Sequence, residues 1–287
     1  MFETDHGRKA TPVVMLSSLT KEGADKTVEA MEYGAVDFIT KPSGSISLDI
    51  HTIESVIQST VAEAAQANIS VLSKQESSQN HHSSIMSAKP IQSDTPIVTI
   101  GASTGGPRAL QQVLTSLPKS FPAPITIVQH MPPGFTKSLA DRLNKLSSIH
   151  VKEAENGEKL EKGTAYIAPG GRQMEISQNG VELICHVTKK EPINGHEPSV
   201  DVLFRSVAQL KKCHPISVIL TGMGSDGASG LLDLKKHHPR TIAMSQSEQS
   251  CVVYGMPQAA EKTGFIDYVL HLPEIGEALS QKIQTKR

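Results

Sequence analysis

Three short segments of this 287-residue chain carry side chains suited to covalent chemistry. The first is Gly101-Ala102-Ser103-Thr104-Gly105-Gly106, which follows a β-branched run and precedes a helix-compatible stretch. It matches G-x-S-x-G in the setting that pattern requires, a sharp strand-to-helix turn lifting a serine above a sheet. Backbone N–H groups of Thr104 and Gly105, at the helix start, are placed to receive an oxyanion. The competing reading is a glycine-rich turn that holds phosphate or only packs tightly. It is neither a Walker A loop nor G-x-G-x-x-G. The second segment, Gln129-His130-Met131-Pro132-Pro133-Gly134, puts His130 at the carboxyl end of the following strand. Neighbouring strands lie about 4.8 Å apart, so adjacency would bring His130 within reach of Ser103. The third holds Asp226, in Thr221-Gly222-Met223-Gly224-Ser225-Asp226-Gly227 after the apolar run at 216–220. An Asp before a helix is also an ordinary N-cap. A serine, a histidine and an aspartate just past parallel strands nonetheless suit a switch-point crevice.

Those residue types in that placement predict acyl transfer. Neutral His130 takes the Ser103 proton, Oγ attacks an acyl carbon, and Asp226 fixes the imidazole tautomer and stabilises its cation. Each oxyanion donor would contribute about 3 kcal/mol. Activity is expected to fall below about pH 6.5, because His130 must be neutral. The order Ser, His, Asp differs from the α/β-hydrolase, chymotrypsin and subtilisin orders, so none of those folds is implied.

The elements that must position these groups read as α/β. Residues 97–100, 124–128, 216–220, 241–244 and 268–270 read as strands, and 109–117, 200–210 and 274–283 as helices. The stretch MEISQNGVELICHV is two alternating runs around Asn179-Gly180, a hairpin signal. The predicted fold is a doubly wound, mostly parallel Rossmann-like sheet with an antiparallel hairpin insertion. Ahead of it, 12–16 (PVVML) and 35–40 (AVDFIT) alternate with two helical stripes, Ala24, Val28, Met31, Ala35 and Ile50, Ile53, Ile57, Val61. Two βα units cannot cover both faces of a parallel sheet, so this segment reads as incomplete. Between them lies a polar, serine-rich tract in which His81-His82 reads as solvated. The expected domains are 1–66, a flexible linker at 67–95, and a catalytic domain at 96–287.

Composition narrows the class. Lys plus Arg is 28 against 29 Asp plus Glu, which argues against a nucleic-acid binder working by phosphate neutralisation. Aromatics at 3% with no Trp give no base-stacking platform. Three separated cysteines, Cys185, Cys213 and Cys251, form neither a disulfide framework nor a metal-ligand spacing. No apolar run reaches the roughly 18 residues of a membrane span, and the start lacks a signal-peptide core. The expectations are a cytoplasmic protein with no cofactor, no metal, no nucleic acid and no membrane insertion.

The segments closely resemble the catalytic domain of the CheB family, the bacterial chemotaxis protein-glutamate methylesterases. The resemblance is carried by GASTGGP at 101–107, QHMPPGFT at 129–136, YIAPGGRQM at 166–174, PSVDVLF at 198–204, TGMGSDGA at 221–228 and CVVYGMP at 251–257. It implies that Ser103 is the nucleophile, His130 the base and Asp226 its partner. Thr104, Gly105 and Met223 would line the oxyanion and substrate site, with Met223 helping to place the oxyanion. The implied substrates are glutamyl γ-methyl esters on methyl-accepting chemotaxis receptors, releasing methanol, and particular receptor glutamines, releasing ammonia. Gly171 and Gln173 depart from the acidic and His residues commoner in the family. The resemblance also implies a response-regulator receiver at the N-terminus, flavodoxin-like, of which 12–20 and 34–42 look like the fourth and fifth strands. Ser17 would match its switch hydroxyl and Lys41 its phosphate-contacting lysine. The first three strands and the phosphoacceptor Asp have no room before Thr11, and neither Asp5 nor Asp37 fits that role. Phosphorylation by the chemotaxis histidine kinase is therefore not expected of this chain, and half a receiver is expected to cap the site poorly, leaving activity constitutive.

The alternative from another class is a nucleotide- or phosphate-binding regulatory module using the loops at 101–106 and 221–227. Against it, no acidic ribose partner stands about 20 residues beyond the first loop, where the sequence is KSFPAP.

Overall fold

In a computed structural model of the chain, the described residues are 11–42, 50–73 and 95–283. The paired histidines His81-His82, Asp5 and most of the expected linker lie outside them. The elements begin with β1 (Val14–Ser17), α1 (Lys21–Glu32), β2 (Asp37–Thr40), α2 (Glu54–Ala65) and the short turn α3 (Ser70–Ser73). Then follow β3 (Thr95–Ala102), α4 (Gly106–Thr115), β4 (Ile125–Gln129), α5 (Phe135–Leu146), β5 (His150–Glu153) and β6 (Thr164–Ile167). The chain continues through β7 (Gln173–Asn179), β8 (Glu182–Thr188), α6 (Val200–Ala208), β9 (Cys213–Ile219) and α7 (Ala228–His237). It closes with β10 (Ile242–Gln246), α8 (Met256–Lys262), β11 (Tyr268–Leu270) and α9 (Leu272–Ile283).

Seven strands form one sheet in the order β11-β10-β9-β3-β4-β6-β5. Every pair in it is parallel. Its central strands are apolar almost throughout because both faces are covered. The alternation sorts them: Val98, Ile100, Ile125 and Ile127 join the layer of α4, α5 and α9, whereas Ile97, Val128 and Ile219 join that of α6, α7 and α8. Each large side chain buried this way contributes about 1.5–3 kcal/mol. From β3 the chain winds toward β4, β6 and β5, then crosses to place β9, β10 and β11 on the other side. The loops after β3 and β9 therefore part at a switch point, where such sheets bind ligands.

The hairpin β7–β8 is antiparallel and packs Met174, Ile176, Leu183 and Cys185 onto the α6 layer. Its turn sits one residue later than the sequence expectation. Asn179 pairs with Glu182, so the two loop residues are Gly180 and Val181. Gly180 takes a φ of 62°, the left-handed value that type II′ turns demand at their first loop position.

The N-terminal unit is a two-stranded parallel β1–β2 sheet with α1 between its strands. Its sheet is too small to bury its own helix, and the seven-stranded domain completes the burial. Ala24, Val28 and Met31 of α1, with Ala35 beyond it, are continuous with the core over α4 and α5. Phe38 stacks on Phe135 with ring centroids 4.5 Å apart. Arg142 holds Glu32 by two bonds of 2.8 and 2.7 Å, but the pair is partly exposed and is worth at most about 1 kcal/mol. Apolar burial is what docks the unit, against the expectation that half a receiver would not sit stably on the site. The expected stripe on α2 is shallower than foreseen: Ile53 and Ile57 are half-buried and Val61 is exposed. Residues 67–73, the described part of the expected linker, are packed against the catalytic domain. Ile69 and Leu72 pack with Val252, Asn68 N–H donates to the Val252 carbonyl at 2.8 Å, and Arg108 donates to the Leu72 carbonyl at 2.6 Å. Apolar side chains in an otherwise polar tract give this stretch something to bury.

Candidate active site

Ser103 stands at the end of β3, where the strand hands over to α4. Its amide donates to the Thr221 carbonyl at 3.0 Å, and its own carbonyl receives Gly106 N–H at 2.7 Å. This couples the serine turn to the loop after β9. The fit is close, since a Cβ on Gly222 would lie 2.8 Å from Ser103 Cβ and 2.4 Å from the Met256 sulfur. Gly105 takes the left-handed φ of 78° that bends the turn into the helix. The N–H groups of Thr104 and Gly105 donate to no acceptor among the described residues. Thr104 is buried, and its hydroxyl donates to Asp37 Oδ2 of the N-terminal unit at 2.6 Å. Met223, in the loop after β9, is about half exposed, at 45%.

His130 follows β4, the direct neighbour of β3, and its amide donates to the Ala102 carbonyl at 3.1 Å. Its Nε2 is 2.8 Å from Asp226 Oδ2. Its Nδ1 is buried with no hydrogen-bond partner, and no hydrogen bond joins it to Ser103 Oγ among the described residues. An ionised carboxylate can only accept, so Nε2 carries the shared proton and Nδ1 keeps the lone pair. Gln129, buried beside it, donates to the Ser103 carbonyl at 2.9 Å and ties the two loops together.

Asp226 does serve a helix start, but of a different helix than its sequence position suggests. The helix it precedes, α7, has Gly227 at its cap. The Asp226 carboxylate instead takes the Ser199 hydroxyl at 2.9 Å and the N–H groups of Val200 and Asp201 at 2.7 and 3.0 Å, at the start of α6. Burial by itself opposes charge here. The His130 hydrogen bond and charge, with the two amide donors, outweigh it and hold the carboxyl below its ordinary value.

His196 was not foreseen. Its ring lies parallel to His130, with centroids 3.9 Å apart, and burial followed by the His130 charge pushes its pKa down. Gln173 braces this segment by donating to the His196 carbonyl at 3.0 Å and accepting from Ser199 N–H at 2.8 Å. No local pattern marks His196, because the contact joins segments 66 residues apart (196 − 130). Ser199 and Asp201 did carry a signal, a Ser-x-Asp opening an apolar helix.

Ser17 and Lys41 are brought together by the β1–β2 pairing, with Lys41 N–H on the Ser17 carbonyl at 2.7 Å. They stand at the end of β2 opposite the Asp37–Thr104 contact. Ser17 Oγ is engaged locally, accepting from Thr27 at 2.7 Å. The three cysteines are buried and none is joined in a disulfide among the described residues, and burial pushes the Cys185 thiol up to about 12. No group of three or more His, Cys, Asp and Glu side chains among the described residues is arranged to hold a metal ion. No helix among them is long and apolar enough to cross a membrane.

A serine turn, a histidine and a carboxylate at the carboxyl edge of a doubly wound parallel sheet are the residue types a serine hydrolase uses. Residues 98–279 match the model of the CheB methylesterase family. A protein of Halalkalibacterium halodurans named protein-glutamate methylesterase/protein-glutamine glutaminase is 51% identical over 272 residues, covering 93% of this chain and 76% of that protein. A Bacillus subtilis protein of the same name is 46% identical over 286 residues, with 96% and 79% covered. The crystal structure of the Thermotoga maritima CheB methylesterase catalytic domain is 43% identical with a TM-score of 0.63, and covers 67% of this chain and all of that one. This chain belongs to the CheB methylesterase family.

Proposed function

We propose that this chain is a protein-glutamate methylesterase and protein-glutamine glutaminase acting on methyl-accepting chemotaxis receptors during adaptation. The observation that carries the reading is the His130–Asp226 pair with Nδ1 left open, one strand away from Ser103. Nδ1 of His130 takes the Ser103 proton as Oγ attacks the γ-carbonyl carbon of the methyl ester. The oxyanion settles on the N–H groups of the turn at Thr104 and Gly105, with Met223 beside it. The same imidazole returns the proton to the departing methoxide, and methanol leaves. Water, deprotonated by Nδ1, then attacks the acyl-enzyme, releasing the glutamate carboxylate and regenerating the serine. For a glutamine side chain the steps are the same and ammonia leaves.

The 95–283 unit is the catalytic part and 11–73 a receiver-derived unit docked on it. Three buried cysteines with no disulfide among the described residues fit a reducing, cytoplasmic setting. Mass spectrometry of a receptor fragment carrying both methyl esters and target glutamines tests the reading. The expected result is loss of one methylene mass per esterified glutamate and replacement of NH by O at the glutamines. Unchanged masses, together with thermal stabilisation by nucleotides, would instead favour a phosphate-binding module.

A further inference from the structure

α6 and α7 exchange acids at their starts. Asp226, two residues before α7, puts its carboxylate on the first N–H groups of α6. Asp201, in the first turn of α6, puts its own Oδ1 on the N–H groups of Gly227 (2.9 Å) and Gly230 (2.6 Å) at the start of α7. Asp201 thus holds Asp226 from both sides. Its amide donates to the Asp226 carboxylate, and its carboxylate holds the amide that follows Asp226 in the chain. The two helices meet backbone to backbone at this point: a Cβ on Gly230 would lie 2.9 Å from Asp201 Cα and 3.0 Å from its carbonyl oxygen. Asp201 is 2% exposed, and loss of its carboxylate would orphan two buried donors.

We propose that Asp201 is a positioning residue of the esterase site, setting the place of Asp226 and, through it, of the His130 imidazole. The assignment rests on reading Asp226 as the partner of the general base. Segment 196–201 then serves the base twice, by the His196 stack and by the acid exchange.

The test measures methanol release from methylated receptor fragments by the full chain and by Asp201→Ala, Asp201→Asn, Asp226→Ala and the double variant Asp201→Ala/Asp226→Ala, each checked by thermal circular dichroism. Asp201→Ala is expected to lower kcat about 10- to 100-fold with KM within about twofold. Asp201→Asn keeps an acceptor oxygen and is expected to recover kcat to within about threefold of wild type. The double variant is expected to be no slower than Asp226→Ala alone. Unchanged kcat in a folded Asp201→Ala, or a double variant slowed by the product of the two single factors, would overturn the proposal. If Asp201→Ala melts below the assay temperature, Asp201→Ser takes its place under the same two criteria. Undiminished activity of Asp226→Ala would remove the triad reading itself, and the Asp201 role with it.

Discussion

Ser103, His130 and Asp226 were legible as residues because each follows a buried strand, and a parallel sheet gathers such positions along one edge. What could not be read locally is how they are held. The Asp226 carboxylate looks like a cap for the helix after it, and only the packing of α6 beside α7 shows that it serves the other helix. Because that carboxyl is held below its ordinary value, it stays ionised at neutral pH and above. Its stabilising contribution is present above its unfolded pKa and is lost as pH falls through the lower folded value. A decline in rate on acidification around neutrality therefore does not come from Asp226. Gly222 is equally constrained. Its added Cβ would press on Ser103, so Gly222→Ala is expected to lower kcat about 10- to 100-fold in steady-state methanol assays while the protein remains folded.

At the scale of elements, the central strands announced themselves as short apolar runs, and the hairpin as alternation around a glycine. The edge did not. β5 reads HVKE, a half-exposed edge strand whose charged residues conceal its alternation, and β6 is four residues long. The stripe of Phe135, Leu139 and Leu143 on α5 does carry a helical period, although no helix was expected there. The close crossing of α6 and α7 has a consequence for stability. Alanine at a helical glycine gains up to about 1 kcal/mol of propensity. At Gly230 the new Cβ would meet Phe204 Cβ at 2.8 Å and the Asp201 backbone at 2.9 Å, and overpacking of this kind costs about 1–3 kcal/mol. Gly230→Ala is therefore expected to lower the melting temperature in a thermal scan, with a loss of kcat larger than the stability loss explains.

At the scale of the whole molecule, the N-terminal unit and the catalytic domain share a core. The expected incompleteness of two βα units is answered by docking, which brings Asp37 onto Thr104, next to the nucleophile. Burial pushes the Asp37 carboxyl up, so the docked state binds a proton more tightly than the free unit does. For an acid raised in this way, the docking contribution is present at low pH and is lost as pH rises through the docked value. The rate of the full chain relative to residues 95–287 should accordingly rise with pH, and Asp37→Asn should flatten that dependence. Phe38→Ala removes the stack on Phe135 and should move the full-chain rate toward that of residues 95–287 at every pH. Equal rates for the full chain and 95–287 throughout would mean that the docked unit does not restrain the site. The most direct test of the account is methanol release from methylated receptor fragments by wild type and Ser103→Ala under identical conditions. A fall of at least about 10³-fold in the variant is predicted, and release at an undiminished rate would contradict Ser103 as the nucleophile.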